Sequence, residues 1–371
     1  MKNLIIGLLA VAGILLSLQS CKEEIDLIGD FKETAVVYAI LDQSEEIHMI
    51  KVTRAFIGPG NSYTHAQVAD SSYFDNVTGT VTQLDANGIP TGQSWDLMDT
   101  TVFNKDPNGA FYGPAQDLLF FKSEPILNAF NGDTLAFLDE NYQYRLDLTI
   151  NDGLFTVSGV TELVKEMDES ITNNNYPFKY ANSQGELQSS PITFNDVKNA
   201  EKVEVNLTVE FTEWVGSTPS IKSYSYKVGD ADCLQNSSVV FSPNGETFFN
   251  NLTNNITNDP SITKRTFNSV TTVFTAADKN LSDYINNNKP SSDLAQTTPP
   301  IEPNLEATGG YRVVGIYAAR VTKTVYKPFI NPLNQLWRCL DKNTTRYLSN
   351  QAAIGFCSNH VADNTESWYC P

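Results

Sequence analysis

Cysteine is the residue type whose spacing in this chain permits the most chemistry. Cys339, Cys357 and Cys370 stand close together near the end of the 371 residues, and His360 lies between them. These four residues could supply a Cys3His zinc site, but structural zinc usually uses two close Cys/His pairs and only Cys357-x-x-His360 is close. Disulfide bonding is the stronger prediction, with at least one bond among the three. Either Cys233 is the fourth partner and staples the tail onto the second β domain, which we favour, or one thiol stays free. We predict no metal site, no cofactor and no catalytic residue.

The tail that carries three of these cysteines, residues 329–371, has few apolar residues in a regular period. Pro328 and Pro332 stand at its start. A segment of this kind buries too little apolar surface to hold itself in place, so a disulfide is the expected stabiliser. Closing a loop of about 12 to 18 residues contributes roughly 3 kcal/mol, mainly because the crosslink restricts the unfolded chain.

The fifth cysteine, Cys21, predicts a different modification. It ends an apolar run, Leu4–Leu18, that follows Lys2 and is typical of a secretory signal. Leu18-Gln19-Ser20-Cys21 resembles a bacterial lipobox, in which cleavage after the small residue leaves the cysteine as a lipidated N-terminus. Several acyl chains hold a protein stably in a bilayer. Residues 1–20 are therefore predicted to be a signal peptide, and the mature protein is tethered to a membrane.

The three residues after this cysteine, Lys22, Glu23 and Glu24, begin an acidic tether over residues 21–33. They resemble the export signal that sends some lipoproteins of Bacteroidota to the outer face of the outer membrane. The alternative is a solvated linker. Acidic residues gain nothing beside an anionic membrane, so a signal read by a receptor explains them better. The predicted location is the outer membrane, facing the cell surface.

Composition excludes one class of partner. The chain has 25 Lys and Arg against 43 Asp and Glu, a formal charge of −18. Nucleic-acid binding needs clusters of basic residues that displace counterions from phosphate, so no nucleic-acid partner is expected. Three histidines leave little material for a catalytic triad. We predict that the protein is not an enzyme.

The elements that must position these residues are predicted to be strands. Thr34–Leu41 and Ile47–Phe56 form a hairpin by composition, Tyr142–Ile150 alternates strictly, and Lys202–Glu213 alternates as well. Residues 166–190 have no apolar period and are expected to form a linker. The predicted fold is all-β, with two tandem antiparallel β-sandwich domains over 34–165 and 191–328, followed by the cysteine-containing tail.

Two local patterns give further predictions. Ala276–Asn286 has apolar residues at helical spacing, and Asp278 with Asn280 and Asp283 fits the first turn of that helix better than a calcium loop. Pro243-Asn244-Gly245 reads as a hairpin turn between two short strands, the second of which contains Phe248-Phe249. His48 on a predicted strand and His65 beside a polar loop are expected to be ordinary core or surface histidines, since no nucleophile motif lies near either.

Strand and turn motifs along the chain carry a resemblance to a known group. They are Val37–Asp42, Ile50–Gly58, Ala66–Tyr73, Gly109–Tyr112 and Asn304–Tyr317. With the lipobox, they resemble a family of uncharacterised outer-membrane lipoproteins of Bacteroidota. The resemblance implies an N-terminal immunoglobulin-like or fibronectin-like sandwich, a second β domain, and association with TonB-dependent outer-membrane transporters. No catalytic residue comes with it.

Three classes of function compete on this evidence. The first is a surface-exposed lipoprotein that acts as a binding or accessory subunit of an outer-membrane transport or export complex, with a β-barrel partner. A tether, rigid β domains and contact loops suit that role. The alternative is a structural or adhesive envelope lipoprotein, which needs the same features. A hydrolase is the weakest of the three, because it requires a convergent polar cleft that the sequence does not indicate.

Overall fold

The structure is a computed structural model. It describes residues 32–56, 61–103, 108–109, 115–165, 176–194, 198–233, 238–257, 259–287, 304–330, 339–351 and 354–370. The predicted signal peptide and nearly all of the predicted tether lie outside these residues.

Strands make up most of the described chain. In chain order they are β1 Thr34–Asp42, β2 Ile47–Arg54, β3 Val77–Leu84, β4 Pro90–Asp96, β5 Met98–Val102, β6 Gln116–Lys122, β7 Ile126–Leu127, β8 Thr134–Ala136, β9 Gln143–Ile150, β10 Phe155–Glu162, β11 Ile192–Phe194, β12 Lys202–Val215, β13 Thr218–Asp232, β14 Val239–Phe241, β15 Lys264–Ala277, β16 Leu305–Ala307, β17 Arg312–Pro328 and β18 Phe356–Cys357. The helices are α1 Ser62–Ala66, α2 Ala69–Ser72, α3 Gly245–Asn255, α4 Lys279–Asn287 and α5 Lys342–Ser349. Two 3-10 turns cover Asn151–Gly153 and Val361–Asp363.

Two large sheets organise these strands. A nine-stranded sheet runs in the order β13-β12-β15-β17-β1-β2-β6-β5, with β18 beside β15, and a five-stranded sheet runs β16-β10-β9-β3-β4. Two small two-stranded sheets pair β11 with β14 and β7 with β8. The prediction of an all-β sandwich fold is confirmed, and so is the hairpin of β1 and β2.

The first hydrophobic core lies between the five-stranded sheet and the part of the large sheet that contains β1, β2 and β6. Strict alternation in β9 buries Tyr144, Leu146, Leu148 and Ile150, each at most 1% exposed. Residues at alternate positions of a strand share one face, so this period fills the core from one side only. The sequence pattern therefore predicted both the strand and its buried face.

The second core covers the same face of the large sheet further along, over β12, β15 and β17. Its other side contains two helices, α3 and α5, together with β11 and β14. The hairpin predicted at Asn244-Gly245 is wrong, because Phe248 and Phe249 lie in α3. The Asn244 side chain accepts the Thr247 N–H at 2.7 Å and so caps that helix.

Strand β17 joins the two cores. Its Tyr317 and Ala319 pack into the first core, whereas Val321 and Val325 pack into the second. It pairs in parallel with β1, so strands from both predicted domain ranges share one sheet. Gly315 makes this pairing possible, because a Cβ there would lie 2.0 Å from the Val37 carbonyl oxygen.

Part of the predicted linker, residues 166–190, proves to be structural. Residues 166–175 lie outside the described chain, but Phe178 and Tyr180 of the remainder are 4% and 0% exposed within the second core. Phe178 also forms a bridge with Leu340 of the tail. Two aromatic residues, at alternate positions in an otherwise polar stretch, anchor this segment in the core. They are too few to form a period from which its burial could be predicted.

The tail also contributes more apolar surface than its sequence predicted. Phe329, Leu340, Leu348 and Phe356 are each at most 4% exposed in the second core. Strand β18 pairs in parallel with β15, with Phe356 opposite Arg265. The expectation of a weakly packed tail is wrong, because its few apolar residues lie in separate short elements that converge only after folding.

Candidate binding surface

The predicted lipidation site Cys21 and the predicted export residues Lys22, Glu23 and Glu24 lie outside the described residues. Those four assignments stay predictions. No helix within the described ranges is long and apolar enough to cross a membrane.

The tail cysteines form one bond. Cys357 and Cys370 are joined as a disulfide with a sequence separation of 13, which confirms the prediction of at least one bond among the three. Cys339 and Cys233 are free thiols, so the predicted staple through Cys233 is wrong. Burial raises the pKa of Cys339 far above its ordinary value and that of Cys233 to about 11. The tail is attached to the rest of the protein by packing on the second core, and not by the predicted disulfide to Cys233.

The disulfide also consumes two of the four ligands of the alternative zinc site. Among the described residues, no group of three or more His, Cys, Asp or Glu side chains is placed to hold a metal ion.

The closed tail loop brings together a serine, a histidine and an aspartate that the sequence did not single out as a set. The Ser358 hydroxyl donates to Asp363 Oδ2 at 2.7 Å, and His360 Nδ1 accepts the Ala362 N–H at 3.0 Å. In a hydrolytic triad the serine hydroxyl bonds to the histidine ring. Here the serine bonds to the aspartate directly, so the contacts stabilise a turn.

His48 is a core residue. Its ring stacks on Phe121 with centroids 4.6 Å apart, and its Nε2 lies 2.9 Å from the Ser123 hydroxyl. Burial lowers the pKa of His48 from 6.5 to about 4, against a smaller opposing effect of the Asp42 charge. The imidazole is therefore neutral near pH 7. His65 lies on α1, with its ring 6.2 Å from that of Phe56.

The residues that sequence reasoning missed lie on the other face of the same strands. Tyr38, Ile47, Met49 and Met98 are 37%, 47%, 46% and 47% exposed, and we call the surface they form the open face. Met49 and Met98 lie opposite Phe120 on β6, so the three form one cross-strand row. A signal was present, because β2 is apolar at outward as well as inward positions.

Helix α4 borders the open face. It packs on Ile316 and Ala318 of β17. Its Tyr284 hydroxyl donates to the Tyr38 hydroxyl at 3.2 Å, with the two rings edge to face. Part of this side of the sheet is thus covered by the chain itself, and the open face is the adjoining apolar part.

A groove of about 360 Å³ runs beside the open face. It is lined by Tyr38, Ile40, Asp42, Glu45, Ile47, His48, Met49 and Arg320. Asp42 Oδ2 accepts from Arg320 Nε at 3.2 Å and from the Thr322 hydroxyl at 3.1 Å. The guanidinium of Arg320 is therefore already paired with Asp42, and Tyr38, Ile40, Ile47 and Met49 supply the apolar part of the lining.

A second cleft, of about 250 Å³, opens where β5 and β6 meet the start of β3. Asp75, Asp99 and Asp117 line it together with Tyr73. The Thr101 hydroxyl donates to Asp117 at 2.8 Å. This cleft is acidic and its aromatic lining is small, so it differs in chemistry from the groove beside the open face.

No family model matches the sequence, and no curated protein matches it. Among solved structures, the C-terminal globular domain of an oligosaccharyltransferase from Pyrococcus abyssi aligns with 82% of this chain and 47% of its own, at 10% identity and a TM-score of 0.16. The chain thus spans about half the length of that protein. A likeness this weak says nothing about the function.

Proposed function

We propose that this protein is a lipid-anchored subunit of the outer membrane that binds an integral outer-membrane protein through the open face. The observation that carries the proposal is the exposed apolar row formed by Met49 and Met98 with Phe120. Large exposed apolar patches with a polar rim mark contact surfaces in soluble domains. Methionine also suits a contact surface, because its side chain is flexible and polarizable.

The predicted tether limits where the partner lies. From Cys21 to Thr34 there are 13 residues, which span at most about 45 Å when fully extended. The first strand of the sheet therefore stays within that distance of the bilayer. A protein embedded in the same membrane is within reach of the open face, and anchoring in the same plane raises its effective concentration.

Site-specific photocrosslinking in intact cells tests the proposal. A photoreactive phenylalanine replaces Tyr38, Met49 or Met98 in turn, and Tyr326 serves as the matched control. Tyr326 is a tyrosine on the same face of the same sheet, 59% exposed, in the half that carries the second core.

The expected result is an adduct with an integral outer-membrane protein from the three open-face positions and none from Tyr326. Equal adducts from all four positions would show non-specific contact and overturn the proposal. Adducts only with a second copy of this chain, or none at any position, would favour the structural envelope role instead. Cys21→Ala should abolish the adduct, because the protein is then no longer anchored beside its partner.

A further inference from the structure

Asp278 occupies the point where three elements of the fold meet. It stands between the end of β15 and the start of α4, and it is 6% exposed. Its Oδ1 accepts the Leu281 N–H at 2.8 Å, and its Oδ2 accepts the hydroxyl of Thr161 on β10 at 3.1 Å. Its own N–H donates to the Ala319 carbonyl on β17 at 3.0 Å. This one residue therefore ties α4 to both large sheets.

The charged groups on the elements around Asp278 are engaged with other partners. Arg320 on β17 pairs with Asp42, and Lys279 pairs with Asp283 on α4. Lys202 on β12 pairs with Asp230 and Asp232. Glu162 on β10 accepts hydrogen bonds from Gln143 and Asn199, and Glu201 adds a further negative charge near Lys279. Within the described chain, no lysine or arginine pairs with the Asp278 carboxylate. Neutral donors alone stabilise its ionised form.

A buried carboxylate without a cationic partner is costly to ionise. Burial accordingly raises the pKa of Asp278 from 3.8 to about 6, although hydrogen bonds from Leu281, Ala319 and Thr161 oppose the rise. When α4 lifts from the sheet, the carboxylate meets water and its pKa returns towards the ordinary value. The packed form therefore binds the proton more tightly than the open form does.

We propose that Asp278 is a pH-sensitive latch, which holds α4 on the sheet more tightly in mildly acidic solution than at neutral pH. The latch depends on the contacts of Asp278 and stands whether or not a partner binds the open face. Because α4 borders that face through Tyr284, loosening the helix changes the rim of the surface without changing the sheet below it.

The size of the effect follows from proton linkage. For a group with a pKa near 6 when packed and near 3.8 when exposed, the equilibrium constant for opening rises about tenfold between pH 5 and pH 7.5. Most of that rise is complete by about pH 7, because above the packed pKa both forms are ionised.

Hydrogen–deuterium exchange of the purified mature protein tests the latch, with rates over residues 279–287 corrected for the intrinsic effect of pH. The wild-type protein should open about tenfold more often at pH 7.5 than at pH 5. Asp278→Asn should remove this dependence, since it keeps the oxygen acceptor without the titration. Asp283→Asn is the matched control, an exposed aspartate on the same helix, and should retain it.

Two outcomes would overturn the latch: a wild-type helix whose corrected exchange does not change between these pH values, or an Asp278→Asn protein that keeps the tenfold change. Should Asp278→Asn not fold, Thr161→Val gives an independent measurement. It removes a donor to the ionised carboxylate, so the midpoint of the pH dependence should move upward, and an unchanged midpoint would contradict the proposal.

Discussion

On one face of the nine-stranded sheet, the half that carries the second core presents the hydroxyls of Thr208, Ser225 and Thr271 side by side across three strands. The half that carries the first core presents Met49 and Met98 at the corresponding outward positions. A sheet with one solvated face normally alternates apolar inward residues with polar outward ones. The second half follows this rule at these three positions, although Tyr326 beside Thr271 is 59% exposed. The first half departs from the rule in a continuous row across neighbouring strands.

The inward face shows no such difference. Both halves bury regular rows of aliphatic residues there, such as Ile50 and Val52 in the first half and Val205 and Leu207 in the second. Folding alone therefore explains the inward pattern of each half. Folding alone does not explain the outward apolar residues of the first half. Helix α4 has nine residues and a length of about 14 Å. It therefore covers only the strands next to the junction of β17 and β1, which we call the seam. Outward apolar residues that continue across neighbouring strands therefore indicate contacts beyond the fold.

The pairing of β17 with β1 is expected to be the most sensitive contact between the two halves. Gly315→Ala should lower the free energy of unfolding by at least about 4 kcal/mol, because the new Cβ would collide with the Val37 carbonyl and separate β17 from β1. Thermal denaturation and soluble yield measure the loss. Gly92→Ala is the control, since Gly92 also has a positive φ, of 97°, but open space around it. Similar losses in both variants would mean that backbone strain and not the seam is responsible.

The second half should depend on its crosslink in a way that the first half does not. Replacing both Cys357 and Cys370 with serine should cost about 3 kcal/mol, because the 13-residue separation no longer restricts the unfolded chain. Chemical denaturation gives the free energy, and limited proteolysis should show new cleavage in the tail before any in the first core. Cys233→Ser, which breaks no bond, is the control. An unchanged denaturation midpoint on reduction would refute this prediction.

The first half should in turn respond to acid through His48. Its folded pKa, about 4, lies below the ordinary 6.5, so its contribution is fully present above pH 6.5 and is lost as the pH falls towards 4. The loss should be about 2 kcal/mol, discounted for partial hydration. Unfolding measured from pH 7 to pH 4 should be less pH-dependent in His48→Gln than in the wild type, whereas His65→Gln should match the wild type. Asp278 acts in the opposite direction, since its raised pKa favours the folded state as the pH falls.

The smallest expected effect comes from a substitution on the open face. Met49→Thr gives the first half a residue of the kind that the second half carries. The photocrosslink from position 38 should then weaken about tenfold, equivalent to about 1.4 kcal/mol, while the unfolding free energy stays within about 0.5 kcal/mol of the wild type. Tyr326→Thr should change neither quantity. A crosslink that survives Met49→Thr at full yield would remove the open face from the contact.

The cysteines show how far the sequence reached towards the sites. Their spacing predicted a bonded tail, and Cys357 with Cys370 confirms it. The pairing itself was not available, because three cysteines within one short segment allow several bonds and only packing selects one. Cys339 is removed from the choice by its complete burial among residues of the second core. The open face was equally hidden, since apolar residues on both faces of β2, such as Met49 and Ile50, do not say which side another element covers.

Local pattern alone was enough to predict the hairpin of β1 and β2, the alternation of β9 and β12, and a helix within residues 276–286, because periodicity and turn residues act over a few neighbours. It did not predict β15, which lies between β12 and β17 in the second core. It extended that helix too early, at Ala276, since Ala276 and Ala277 complete β15. Only the tertiary structure decided that β17 lies parallel to β1 and that Phe178 packs beside the tail. These choices join residues more than 150 positions apart, and which distant partner a strand or side chain meets depends on the packing of the whole core and not on its local pattern.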